Sequence, residues 1–343
     1  MKKNKYPPII NLAILVFIIL IFFSINNMKL DENQEEIQNI DFQIIEEGNM
    51  KIISGFTRPF GLTLDSEDKM YITDFGGHSM LIYDKNLNLV KNVNPQNEAI
   101  LKNPHSVDFD SEDKMYITDF GNKKVQKFSK QGNFISTFVG EDYLKGPATS
   151  YFDKDKNLYV SDYGSNALMK FSKQGRFIGW IGAKEDGTLT NEWESELIPT
   201  SVSNLPGGFD RLHMANIGSD GSIYVADTWN NRIQKFSSNG RFIGWIGAKE
   251  DGSLTYGWEK EGIAVSSSLP GAFNTPVSLD IAENGDLIIL EFNGNRVQRF
   301  SEEGIFIEIL ATGFNQGYDA KIKENKLYVV DTGNNQIKII TLF

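Results

Sequence analysis

The sequence predicts an all-β fold, a six-bladed β-propeller, with one N-terminal transmembrane helix ahead of it. Three observations predict it. A strand ending in an acidic residue returns six times, apolar residues alternate with period two between Gly/Asn/Asp turns, and one long apolar run stands near the start.

The apolar run comes first. Lys2, Lys3 and Lys5 precede Ile9–Ile25, which is interrupted only by Asn11 and Ser24, and Asp31, Glu32, Glu35 and Glu36 follow it. Such a run is at the short end of a bilayer span, and lysines before it keep the leading end in the cytoplasm. Residues 1–8 are therefore expected inside, 9–25 as a transmembrane signal anchor, and 26–41 as an acidic linker. The domain from 42 to 343 is expected on the extracytoplasmic side, periplasmic or at the cell surface. A cleaved signal peptide is the alternative; no Ala-x-Ala-like site follows Phe23, which favours a retained anchor. Either way the globular part is exported.

Beyond the linker, Met70-Tyr71-Ile72-Thr73-Asp74 returns as Met115–Asp119, Leu158–Asp162, Ile223–Asp227, Leu287–Glu291 and Leu327–Asp331. The acidic positions stand 45, 43, 65, 64 and 40 residues apart. Each copy has an apolar strand, a polar turn, the acid-ending strand, a short loop, an alternating strand such as Arg232–Phe236, a Gly turn and an outer strand such as Phe242–Ile246. Four antiparallel strands per unit make a propeller blade. The blades are expected at about 57–94, 103–140, 146–183, 211–248, 275–311 and 315–343. The last lacks an outer strand, and 42–55 is expected to supply it, because an unpaired edge is a liability. Asp227-Thr228-Trp229-Asn230-Asn231-Arg232-Ile233-Gln234 and Asp331-Thr332-Gly333-Asn334-Asn335-Gln336-Ile337 resemble the core of the NHL repeat, a resemblance that spans roughly 42–343 and implies a six-bladed propeller. The recurrent Asp reads as structural, since an Asp at a strand end accepts backbone N–H bonds from the adjoining turn.

Composition removes several functions. Net charge is −11, and the Lys and Arg residues are scattered among more numerous carboxylates, which argues against nucleic acid as a partner. Cysteine is absent, so disulfides, thiolate zinc sites and a Cys nucleophile are excluded. No phosphate-binding Gly loop, Gly-x-Ser-x-Gly elbow or His-Glu-x-x-His is present.

Two features stand out from the repeat. Gly179–Gly187 recurs as Gly244–Gly252, and each copy continues into a second tryptophan (Trp193, Trp258) and a Leu-Pro-Gly turn. The two inserts lengthen adjacent inter-blade loops. Their tryptophans either staple the insert to the rim or form a binding surface for a peptide, glycan or protein. Connections between blades share a face with the starts of the innermost strands, so the inserts are expected there, pointing away from the membrane.

The second feature is a pair of histidines. His105 and His213 begin innermost strands in blades two and four, and Phe60, Ala148, Val277 and Tyr318 are the equivalent positions. His78 falls in an exposed loop. The pattern resembles peptidyl-hydroxyglycine amidating lyases, NHL-like propellers that hold zinc with three histidines in alternate blades. By that resemblance His105 and His213 are candidate zinc ligands, Tyr318 stands at the third place, and Tyr163 lies one residue from a tyrosine of the family. Without it, the two histidines line a wet axial channel and no cofactor is implied. Six-bladed sugar lactonases need axial carboxylates for calcium, and the six equivalent positions carry none. The expectation is a membrane-tethered binding module for a peptide, glycan or protein, with a metal-dependent lyase or hydrolase at the axial channel as the alternative.

Overall fold

The computed structural model describes residues 43–93, 101–197 and 200–342; the expected cytoplasmic end, transmembrane helix and linker lie outside them. Among the described residues no helix is long and apolar enough to cross a membrane. Six antiparallel sheets stand around an axis. From axis to rim, blade one runs from Pro59–Leu64 to Leu89–Val93, and blade two from Pro104–Phe109 to Phe134–Val139. Blade three runs from Pro147–Phe152 to Phe177–Lys184, blade four from Ala215–Ile217 to Phe242–Ile246, and blade five from Pro276–Ile281 to Phe306–Thr312. Blade six starts at Asp319–Lys323. The six innermost strands touch one another in a closed ring.

Blade six is finished from the other end of the domain. Met50–Ser54 pairs antiparallel with Gln336–Thr341, Ile53 opposite Ile337. A further strand, Gln43–Glu47, adds a fifth member outside it. The hairpin turn between them at Gly48 has a positive φ of 61°, which glycine adopts without strain.

Blades need one another because their apolar faces are shared. One core cluster joins Leu62, Ile72 and Leu81 of blade one to Val330, Ile337 and Ile53 of blade six, and another joins Tyr224 and Ile233 of blade four to Leu279 and Ile289 of blade five. The acid that ends the second strand ties down the loop leading into its own innermost strand. Asp74 accepts the Thr57 and Arg58 N–H groups at 2.8 and 2.7 Å, Asp119 that of Lys102 and Asp331 that of Asn315, both at 2.7 Å. A second stitch crosses between blades. His78, Asn166, Asn231 and Asn295 take left-handed φ of 52–54° and accept the N–H of Asn103, Arg211, Thr275 and Gln316 in the next blade. Asn is common in this motif because its short polar side chain tolerates the left-handed region.

The inserts depart from the expected face. Each leaves and returns at the upper end, where the innermost strands begin, but folds back along the outer strand. Trp180 and Glu194 exchange backbone hydrogen bonds of 3.0 and 2.9 Å, as Trp245 and Glu259 do at 2.8 and 2.9 Å. The bend is at Gly182 and Gly247, with φ of 148° and 152°; a Cβ there would press on the Asn166 and Asn231 carbonyl oxygens at 3.0 and 3.1 Å. The outer edges of blades three and four are thereby covered.

Candidate functional site

The register of the innermost strands decides what reaches the axis. Their first inward positions are Phe60, His105, Ala148, His213, Val277 and Tyr318, and they form an upper ring. His105 and His213 are buried, with ring centroids 4.7 Å apart, and Tyr318 lies 5.6 and 4.9 Å from them. Phe60 stacks on Tyr318 at 3.8 Å and meets His105 edge-on at 4.9 Å. Above them lies a second tier, the residue after the recurrent acid: Tyr163, which the sequence reading named, and Phe75, Phe120 and Phe292, which it missed. Phe75 stacks on Phe60 at 4.2 Å, Phe120 lies 5.7 Å from His105, and Phe292 meets Tyr318 at 5.4 Å. The signal was present, since that position is aromatic in four of the six copies.

A cavity of about 450 Å³ opens beside this cluster, lined by Tyr163, His213, Trp229, Val277, Phe292 and Tyr318 with hydroxyl and amide side chains around them. His213 Nδ1 lies 3.0 Å from the Val277 carbonyl, which can only accept, so Nδ1 carries the proton and Nε2 holds a lone pair. Among the described residues no group bonds Nε2. Burial holds the His213 pKa down at about 4 against the opposing pull of Val277, and burial, His213 and Arg58 together hold His105 well below the usual histidine value. Both rings are neutral near pH 7. Two guanidinium groups lie on aromatic faces here. Arg58 lies over Phe60 and Phe75 at 5.0 and 5.6 Å, and Arg211 over Trp229 and Tyr163 at 4.0 and 5.8 Å.

Trp193 and Trp258 are not part of this site. Trp193 donates Nε1–H to Ser238 at 3.0 Å and packs on Tyr159 and Lys170 of its own blade. Trp258 repeats this one blade on, with Glu302, Tyr224 and Lys235. Each clamps an insert against the third-to-fourth-strand turn of the next blade, at the lower end of the rim. That is the stapling role.

The lower end of the axis is polar. Three residues beyond the upper ring stand Thr63, Asp108, Tyr151, Asn216, Asp280 and Lys321, around a cavity of about 270 Å³. Burial works against the Lys321 charge, but Asp280, Asp319 and Asp108 outweigh it and hold its pKa above the usual lysine value. Burial raises Asp108 to about 6. These carboxylates have a structural task. Asp280 accepts the Ile322 N–H and Asp319 the Leu62 N–H of the following blade, both at 2.9 Å, capping innermost strands that have no ladder partner on that side.

The zinc set implied by the lyase resemblance is incomplete. Catalytic zinc takes three protein ligands, and among the described residues no three His, Cys, Asp or Glu side chains converge on one point. Two imidazoles meet a phenol, Tyr318, whose ionisation burial disfavours.

Comparison with known proteins bears on the fold. Residues 216–236 match the NHL repeat family model. None of the curated proteins matches the sequence. Virginiamycin B lyase from Staphylococcus aureus is similar over 86% of this chain and 99% of its own, at 14% identity and a TM-score of 0.56. An auxiliary nutrient binding protein from Bacteroides thetaiotaomicron is similar over 83% of this chain and 69% of its own, at 12% and 0.57. A putative gluconolactonase is similar over 84% and 89%, at 12% and 0.56. At these identities the likeness is one of fold.

Proposed function

We propose that this chain, a six-bladed propeller carrying an NHL repeat, is a binding module that takes its ligand in the upper axial cavity. The observation that carries the reading is the buried, unbonded Nε2 lone pair of His213 beside an aromatic-lined cavity. A buried acceptor left unmade costs about 1–3 kcal/mol, so a ligand donor placed there gains more than one exposed to water. The basic start and apolar run of Ile9–Ile25 support a membrane tether that holds the propeller outside.

A second reading, a metal-dependent lyase or hydrolase, draws on the 4.7 Å approach of His105 and His213. It needs a third ligand from the substrate or solvent. Full-length protein in detergent, screened against defined peptide and oligosaccharide arrays and analysed for metals, separates the two. Binding that His213→Leu abolishes in a folded protein, without stoichiometric zinc, is the expected result. Stoichiometric zinc that is lost in His105→Ala, or ligand binding indifferent to His213→Leu, would overturn it.

A further inference from the structure

Resting on that reading, we infer that the upper cavity takes an acidic oligosaccharide, one whose uronate carboxylate is held by cations at the mouth. The distribution of charge is the first observation. The chain carries a net charge of −11, yet blades one to four each place one cation in the loop leading to the innermost strand: Arg58, Lys102, Lys145 and Arg211. None of the four makes an ion pair among the described residues. Near the lower turns Lys130 pairs with Asp65, Glu67 and Asp113, Lys69 with Glu67, and Lys323 with Asp68, while Lys85, Lys114, Lys154 and Lys173 make no ion pair among the described residues. Asp210 stands beside Arg211 and feels its charge, but the two make no ion pair, so the cations at this mouth remain open to an anion.

The cations are also in working positions. Arg211 covers one face of Trp229 at 4.0 Å and reaches Tyr163, and both rings line the cavity. Arg58 lies on Phe60, which stacks on Tyr318, and its positive charge is felt at Tyr318 and His105. A guanidinium held flat on an aromatic ring loses little further freedom when it binds a carboxylate side-on.

The walls then suit a sugar. Trp229 is 54% exposed although Arg211 backs it, a flat apolar surface suited to the C–H face of a pyranose. The Ser266 hydroxyl, the Asn274 amide nitrogen and the Asn293 carbonyl oxygen also line the cavity and make no hydrogen bond within the described residues. With His213 Nε2 they offer donors and acceptors at separate points, as a ring of hydroxyl groups requires.

The test uses full-length protein in detergent and three probes: trisaccharides of galacturonate, glucuronate or mannuronate, their methyl esters, and neutral galactotriose. Binding is followed by calorimetry and tryptophan fluorescence. At least one uronate should bind, at least tenfold more tightly than its ester and with an affinity that falls as salt rises. Arg211→Gln should erase that preference while leaving the thermal melt unchanged, and Trp229→Phe should remove most of the fluorescence change. No binding of any uronate, or equal binding of acid and ester, overturns the inference. If galactotriose or a peptide binds instead and His213→Leu abolishes that binding, the cavity reading survives and the acidic-sugar one does not. If no ligand's binding depends on His213, both fall.

Discussion

At the scale of single residues, His213 has the most direct consequence. Its folded-state pKa is depressed to about 4, below the unfolded value near 6.5. Between these values the unfolded chain binds the proton and the folded chain does not, so stability falls as pH drops from 6.5 towards 4. At pH 5 this amounts to about 2 kcal/mol. Asp108, raised to about 6, acts in the opposite sense over the same range. The His213 contribution is therefore a difference: urea denaturation at pH 7 and pH 5 should show His213→Gln losing about 2 kcal/mol less than wild type on acidification. An identical pH slope in the two proteins would refute it. Counting register from each strand start was enough to align His105, His213 and Tyr318 on one ring, because inward-facing positions repeat from blade to blade. Phe75, Phe120 and Phe292 escaped notice because they lie in loops, where alternation gives no direction. Asp108, Asp280 and Lys321 escaped because they lie three residues beyond the ring of His105, His213 and Tyr318, past the irregular start of each strand where simple alternation loses its phase.

At the scale of elements, the inserts are held by a device the sequence carries in plain view. In strand three, the residue paired with the recurrent acid is Ser79, Lys124, Ala167 and Gln336 in blades one, two, three and six, but Arg232 and Arg296 in the two blades reached through an insert. Arg232 is fully buried. It bonds Asp227 at 2.8 Å and donates to the Asn204, Leu205 and Gly208 carbonyls at the insert's return turn. Arg296 does the same with Glu291, Ser268, Leu269 and Ala272. Removing one partner strands a buried charge, so Arg232→Ala should cost about 3–5 kcal/mol in chemical denaturation. Arg232→Lys should recover only part of this, because an ammonium cannot span the same carbonyls. A loss below 1 kcal/mol would show that the clamp is not needed. The duplicated insert was visible as a repeat, but its path was not. Where a loop goes after leaving a strand depends on the free edge it meets, and that edge exists only once the blade is folded.

At the scale of the whole molecule, closure rests on one strand. Met50–Ser54 fills the outer place of blade six because Ile53 continues the apolar row of Ile337 and Val330. The additional strand Gln43–Glu47 was not legible, since its pattern is mostly exposed and offers no buried face to read. The two should differ sharply in weight. Ile53→Ala, at a fully buried position, should cost about 2–5 kcal/mol. Ile44→Ala, 41% exposed, should fall within about 0.5 kcal/mol of wild type in the same melts. Equal losses would mean that the outer hairpin, not the inner strand, latches the ring. This latch also imposes an order on biogenesis. Gln336–Thr341 is synthesised long after Met50–Ser54, so the earlier strand must wait, unmated and sticky, while the ribosome makes every intervening blade. Any nascent or truncated product without its final strand is an open fan, exposed to misassembly and to proteases until its two extremities meet.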